Sequence, residues 1–175
     1  VNGLDFNETH SPAVNYCTVR TMCAAAAECN MVLTGSDDTQ AYLQADRTGP
    51  TRYAKMPEGY ERVINGVEHC VKVGNLYGAP DAGRYLYMTK RAWLLDYGFT
   101  QSAWDPCLFV YTDGEGARLW LCMYVDDHLY AHTRGSDIRD KFMEAYKARF
   151  VCTDRGVNIS ASGEFCSMRI RQGDG

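Results

Sequence analysis

The sequence predicts an α+β fold, an antiparallel sheet with helices on one face. Three observations carry that expectation. Apolar residues recur at helical spacing over 13–29, 84–97 and 139–150. Short β-prone runs stand between them at 31–37, 107–111 and 119–132. Two strand pairs have a visible tip, at Asn65-Gly66 and at Asp126-Asp127. In order, these give helix, strand, small β lobe, helix, strand, hairpin, helix and strand. A split βαββαβ sheet is one known solution to that order.

Val1 to Pro12 has no clear period. Ser11-Pro12 is expected to open the first helix, 13–29, which sets Val14, Thr18, Met22, Ala25 and Ala26 at helical spacing. Its alanine run, 24–27, is strongly helix-favouring. Asn30 ends it, and Met31-Val32-Leu33 starts a strand that runs into Asp37-Asp38. Side chains alternate along a strand, so these two carboxylates face opposite sides. At most one of them can join a second acidic pair.

Residues 46–75 are rich in turn formers, and Asn65-Gly66 sits between two β-prone runs. This reads as a β lobe inserted after the first carboxylate strand. The stretch 76–83 is a loop by composition. The second helix, 84–97, aligns Tyr85, Met88, Ala92 and Leu95, and Gly98 stands at its C-terminal stop. A strand at 107–111 and a turn at 113–116 lead into the hairpin. A third helix follows at 139–150, and the tail, 151–170, reads as one or two strands broken at 160–163.

The chain is 46% hydrophobic with a formal charge of −4, which suits a packed core and excludes a disordered or strongly basic protein. Any nucleic-acid contact must therefore use local basic groups. Eight cysteines include no CxxC pair, and no histidine stands at zinc-finger spacing from them. With no apolar run long enough to span a bilayer, this predicts a reducing, intracellular setting without a membrane partner. His128 and His132 fall on one face of one strand and read as sheet-surface residues; Lys55, Lys72, Lys90 and Arg91 read as solvated basic residues.

The chemistry concentrates in Tyr124-Val125-Asp126-Asp127. Turns usually pair Asp with Gly or Asn, and Gly is missing here. Two adjacent carboxylates in apolar surroundings are costly to ionise, and a hard divalent cation would remove that cost. If the strand ending at Asp37 lies beside the hairpin, Asp37, Asp126 and Asp127 can share metal ions. Two metals between such carboxylates clamp both oxygens of an in-line phosphoryl transfer.

Tyr124-Val125-Asp126-Asp127 resembles the catalytic box of reverse transcriptases, and its neighbours resemble the Ty1/copia retrotransposon branch. The segment Asp5 to Pro12 resembles that branch's approach to its first long helix, and Asp37 to Leu43 its first-aspartate motif. Tyr53 to Tyr60, Leu76-Tyr77-Gly78, Gly98-Phe99, Asp105 to Phe109 and Phe150 to Asp154 follow in the family's order. Each piece is short; the ordered set covers nearly the whole chain.

The resemblance implies a fingers–palm polymerase core with a ferredoxin-like palm. Its parts would be a fingers-side helical segment at 1–30, palm at 31–46, a fingers β lobe at 47–83, and palm again at 84–175 with the catalytic hairpin at 119–132. Asp37, Asp126 and Asp127 would carry two Mg²⁺ ions, with Mn²⁺ able to substitute, and the Asp38 carbonyl would add a ligand. Tyr42 would gate the sugar and Arg84 would lie on the nucleotide side. Implied partners are an RNA or DNA template-primer, a dNTP, and the rest of a Pol polyprotein (thumb, RNase H, integrase) outside this chain. The implied location is a cytoplasmic retroelement particle, with the nucleus as a second compartment.

Beside a loose match at Ser160 to Phe165, two departures stand out. Asp81 replaces the family's usual Gln and would set a negative charge toward a triphosphate. Asp38 is a charge where an apolar strand residue is expected. They motivate a second reading, a decayed remnant or nucleic-acid-binding module. A third reading is another palm-type enzyme, such as a nucleotide cyclase.

Overall fold

The computed structural model describes residues 9–156 and 164–173. The expected break at 160–163 lies outside the described residues.

Helix α1 spans Tyr16–Glu28. It starts later than Ser11-Pro12 suggested because Asn15 caps it, accepting a hydrogen bond from the Cys17 N–H at 2.8 Å. Asn15 is itself anchored, its N–H donating to Asp105 Oδ2 at 2.9 Å. Strand β1 (Met31–Asp38) follows, then a short 3₁₀ turn at Ala41–Gln44. The β lobe consists of two small ladders, β2 (Arg52–Lys55) with β5 (Cys70–Val73), and β3 (Val63–Ile64) with β4 (Val67–Glu68). Asn65 and Gly66 close the second ladder at φ 53° and 79°, the left-handed backbone that such a two-residue turn requires.

Helix α2 (Ala82–Tyr97) ends on Gly98 at φ 115°. Strands β6 (Thr100–Gln101), β7 (Leu108–Thr112), β8 (Arg118–Tyr124) and β9 (Asp127–Thr133) come next. Helix α3 (Ile138–Arg149) and β10 (Cys152–Asp154) complete the main sheet, and β11 (Glu164–Phe165) pairs with β12 (Met168–Arg169). Among the described residues, no helix is long and apolar enough to cross a membrane.

The main sheet has six strands in the order β10-β1-β9-β8-β7-β6, and every adjacent pair is antiparallel. With α2 and α3 as crossovers, β1, β8, β9 and β10 form the split βαββαβ arrangement. The strand period of two divides the core into two layers. Leu119, Leu121, Met123 and Tyr130 meet Leu94 of α2 and Phe142, Met143 and Tyr146 of α3. Met31, Leu33, Cys122, Leu129 and Ala131 point the other way, onto Val19, Met22 and Ala26 of α1.

The expectation of helices on one face therefore holds for α2 and α3 and fails for α1. The reason lies in β1, β8 and β9, which carry apolar side chains on both faces and need cover on both. The two histidines also depart from expectation. His128 is 2% exposed and His132 8% exposed, so neither lies on the sheet surface. β9 is an interior strand, and its even-numbered side chains face α2 and α3.

Phe142 is fully buried and its ring touches those of Trp93, Tyr97, Phe99, Tyr130 and Tyr146. Phe142→Ala should lower the unfolding free energy by about 3–5 kcal/mol. Denaturant titration checks this, and a loss below about 1 kcal/mol would mean that the layer repacks freely.

Burial holds the basicity of both His128 and His132 below the ordinary histidine value, most strongly at His128. The unfolded chain thus takes up these protons first as pH falls below about 6.5. Stability present above that pH is lost on acidification toward the lower folded values. Between about pH 7.5 and 5.5 the parent should lose more stability than His132→Phe, measured by urea unfolding at both. Equal losses would remove His132 from this account.

Candidate active site

The site is built where β1 and β9 end together. Their register pairs Met31 with Thr133 at one end and Asp37 with Asp127 at the other. Directly opposed residues in an antiparallel pair share a face. Asp37 and Asp127 therefore stand side by side on the α1 face. Asp38, one residue on, faces α2 and α3 and is 3% exposed.

Two like charges in this position call for a cation, and Arg155 supplies one. Its guanidinium donates to Asp37 Oδ2 at 2.8 Å and to Asp127 Oδ1 at 3.1 Å. The Arg155 N–H is tied in turn to the Gly35 carbonyl at 2.9 Å, which fixes the residue across the end of β1. Asp127 is pushed up to about 6 by burial; Arg155 opposes that rise, and the negative charge of Asp37 adds to it.

Asp126 lies in the two-residue turn between β8 and β9, whose terminal pair is Tyr124 with Asp127. Its backbone carbonyl accepts from the Asp38 N–H at 2.8 Å, carrying the β1 ladder onto the turn. The three carboxylates do not form one cage. Among the described residues, no group of three or more His, Cys, Asp or Glu side chains could hold a metal ion. What the fold brings together is the pair Asp37 and Asp127, with Asp126 at the adjoining tip. Two hard oxygen donors suit Mg²⁺, which usually takes one or two carboxylates and completes its shell with water and substrate phosphates.

The turn itself is strained. Val125 has φ 52°, a left-handed conformation that a β-branched residue rarely adopts. Such a residue costs of order 1–3 kcal/mol and persists only where its surroundings hold it. Lys90 of α2 does so, donating from Nζ to the Val125 carbonyl at 2.5 Å. The same ammonium lies 2.5 Å from Asp38 Oδ2 and 3.2 Å from His128 Nε2. Tyr146 donates to Asp38 Oδ2 at 2.9 Å, and Ser36 joins His128 to Tyr130. Burial raises Asp38 and lowers Lys90, and the opposite charge of each partner works against both shifts.

The structure corrects two expectations here. Asp38, a charge where an apolar strand residue is expected, is not uncompensated, because it is ion-paired beneath the sheet. Lys90 is not a solvated cation, being 1% exposed. Sequence reasoning missed Lys90, His128 and Arg155 because their partners lie far along the chain; Arg155 and Asp37 are 118 residues apart. The charge of Asp38 inside a buried strand was the available signal that a cation must stand near it.

The other expected residues are placed as follows. Tyr42 sits in the 3₁₀ turn with its ring edge-on to Tyr77 at 4.7 Å. Burial raises its hydroxyl pKa, and the charge of Asp126 adds to the shift, so Tyr42 is within electrostatic reach of the tip. Asn75 secures this turn, donating to the Tyr42 carbonyl at 3.0 Å and to the Ala82 carbonyl at 2.9 Å. Asp81 does not present a bare charge to the cleft. It is 1% exposed, with Arg47 at 3.0 Å and Arg52 at 2.8 Å. Arg84 lines a cleft with Asp46, Tyr85, Thr89, Asp96 and Arg149; none of Asp37, Asp126 and Asp127 lines it.

The chain is similar to known proteins. The family described as "Reverse transcriptase (RNA-dependent DNA polymerase)" matches residues 1–173. The chain is 31% identical over 129 residues to the retrovirus-related Pol polyprotein from transposon TNT 1-94 of Nicotiana tabacum, which covers 73% of the chain and 10% of that protein. It is 32% identical over 127 residues to the Pol polyprotein from transposon RE1 of Arabidopsis thaliana, covering 73% of the chain and 8% of that protein. The corresponding polyprotein from transposon RE2 of the same plant is 31% identical over 127 residues, 73% of the chain and 9% of that protein. The chain thus spans about a tenth of the length of these relatives. No solved structure matches the chain. On its ordered motifs, its fold and these matches, the chain belongs to the reverse transcriptase (RNA-dependent DNA polymerase) family, in its Ty1/copia-type branch.

Proposed function

We propose that the chain is the fingers and palm part of an RNA-directed DNA polymerase, which joins deoxynucleotides to a primer 3′-hydroxyl on an RNA or DNA template. The observation that carries this reading is the cross-strand pairing of Asp37 with Asp127 beside the turn that holds Asp126. Asp37 and Asp127 would hold Mg²⁺ or Mn²⁺, with Asp126 and the Asp38 carbonyl completing the set as substrate arrives. The bound ions would neutralise charge on the attacking and leaving oxygens of an in-line displacement.

The residues of the chain prepare that chemistry. Asp37 and Asp127 are fixed by ladder hydrogen bonds, so their spacing is set before a cation binds. Arg155 neutralises the pair until then and gives up these contacts as the cation takes them. Tyr42, on its 3₁₀ turn near Asp126, is the candidate gate beneath the incoming sugar. Arg84, in its separate cleft, would contact the nucleotide only after a shift of the lobe or of α2. The rest of a Pol polyprotein would supply the grip on the duplex. An intracellular retroelement particle remains the proposed setting, which the eight free thiols suit.

The alternative of a decayed copy rested on Asp38 and Asp81. Both carboxylates have counter-cations within 3.0 Å, so neither stands as a bare charge.

Asp37→Asn or Asp126→Asn should weaken Mn²⁺ binding measured by calorimetry. Primer extension by the chain within its full polyprotein should fall by at least about 10²-fold. Unchanged metal binding in both variants would dismiss the metal assignment. Absence of extension by the parent polyprotein would favour the remnant reading.

A further inference from the structure

The catalytic-type turn is held from beneath by a group that the metal chemistry does not use. Val125 occupies a left-handed conformation for which its sequence gives no reason, since Gly or Asn would adopt it at less cost. Its carbonyl oxygen points to the α2 side of the sheet and meets Lys90 Nζ at 2.5 Å. The Asp37–Asp127 pair lies on the opposite face. One peptide segment thus carries the acidic side chains upward and is gripped through its backbone from below.

The grip is built. Lys90 is 1% exposed, and its ammonium would be costly to bury alone. Asp38 meets that need at 2.5 Å, and Tyr146 and His128 surround the pair. The Asp38 N–H also supports the turn, donating to the Asp126 carbonyl at 2.8 Å. Consecutive carbonyls of the turn are therefore held, Val125 by the Lys90 side chain and Asp126 by the backbone N–H of Asp38, which any residue at that position would supply. Within the pair, it is the Lys90 ammonium that reaches the turn.

We infer that Lys90 is the positioning residue of the metal-binding turn, and that Asp38 is retained in the strand as its buried counter-ion. The assignment rests on the proposed metal role of the acidic tip. Lys90 acts at a distance from the metal, as outer partners of metal ligands do. Its bond to the Val125 carbonyl fixes the turn, and the turn fixes where the Asp126 and Asp127 carboxylates begin.

A double substitution separates this role from simple core stability. Lys90→Met alone leaves Asp38 charged and unpaired, and that variant should be destabilised or unfolded. Asp38→Val with Lys90→Met removes both charges and replaces them with apolar groups. Such a replacement of a buried pair is commonly neutral or stabilising. The denaturation midpoint of the double variant should therefore lie above that of Lys90→Met alone, while staying below the parent's, because the Val125 carbonyl, the Tyr146 hydroxyl and His128 Nε2 lose a partner.

Mn²⁺ affinity should not rise with it. Calorimetric titration of the folded double variant should show affinity roughly tenfold or more below the parent. Amide hydrogen exchange at Asp126 to His128, without metal, should be faster than in the parent. A folded double variant that binds Mn²⁺ as tightly as the parent, with unchanged exchange at the turn, would overturn the inference. If that variant does not fold, Asp38→Asn with Lys90→Met, which keeps a hydrogen-bonding partner for Tyr146, answers the same question by the same criteria. The two levels fail differently. A parent whose Mn²⁺ binding is absent, or is insensitive to Asp37→Asn, refutes the metal site and this inference with it. Binding that is lost in Asp37→Asn yet intact in the double variant refutes Lys90 alone.

Discussion

The antiparallel ladder between β1 and β9 is the constraint from which the rest follows. Its register runs without interruption from Met31 and Thr133 to Asp37 and Asp127. A slip of one residue would exchange the two faces of β1. Asp37 would then enter the layer beneath α2 and α3, and Leu33 would leave the contact with α1. The apolar residues at the closed end thus fix the partners of the acidic residues at the open end. Gly35 contributes by its size: a Cβ there would stand 3.3 Å from the His128 carbonyl, across the ladder itself.

Two adjacent aspartates in β1 illustrate how one dipeptide serves both layers. Asp37 stays partly open and meets the Arg155 guanidinium. Asp38 is sealed with an ammonium beneath the sheet. Identical side chains acquire different tasks from the strand's alternation and from the company each face supplies. The same logic explains why a charged residue is compatible with an interior strand, provided that its partner is buried with it.

Much of this was legible in the sequence. The helical periods located α1, α2 and α3 to within a few residues, and Asn65-Gly66 and Gly98 marked their turns by conformational need. The opposed faces of Asp37 and Asp38 follow from strand geometry alone. Other features were not legible, because they depend on contacts between distant segments. Lys90 looks like one more basic residue on α2 until α2 is docked on β1 and β9. Arg155 follows a matched motif without belonging to it. The histidines of β9 read as surface residues because the strand's central position is a property of the sheet. The second face was missed for a similar reason, since covering it with α1 requires knowing that β1 is flanked on both sides.

Asp81 has a mechanical consequence for the molecule. It stands at the start of α2, while its partners Arg47 and Arg52 belong to the approach to the lobe and to β2. The carboxylate therefore acts as a latch between lobe and helix. Dissolved salt reaches enclosed charges poorly. Raising ionic strength would loosen surface contacts long before this one, so the lobe should swing only by carrying the head of α2 along.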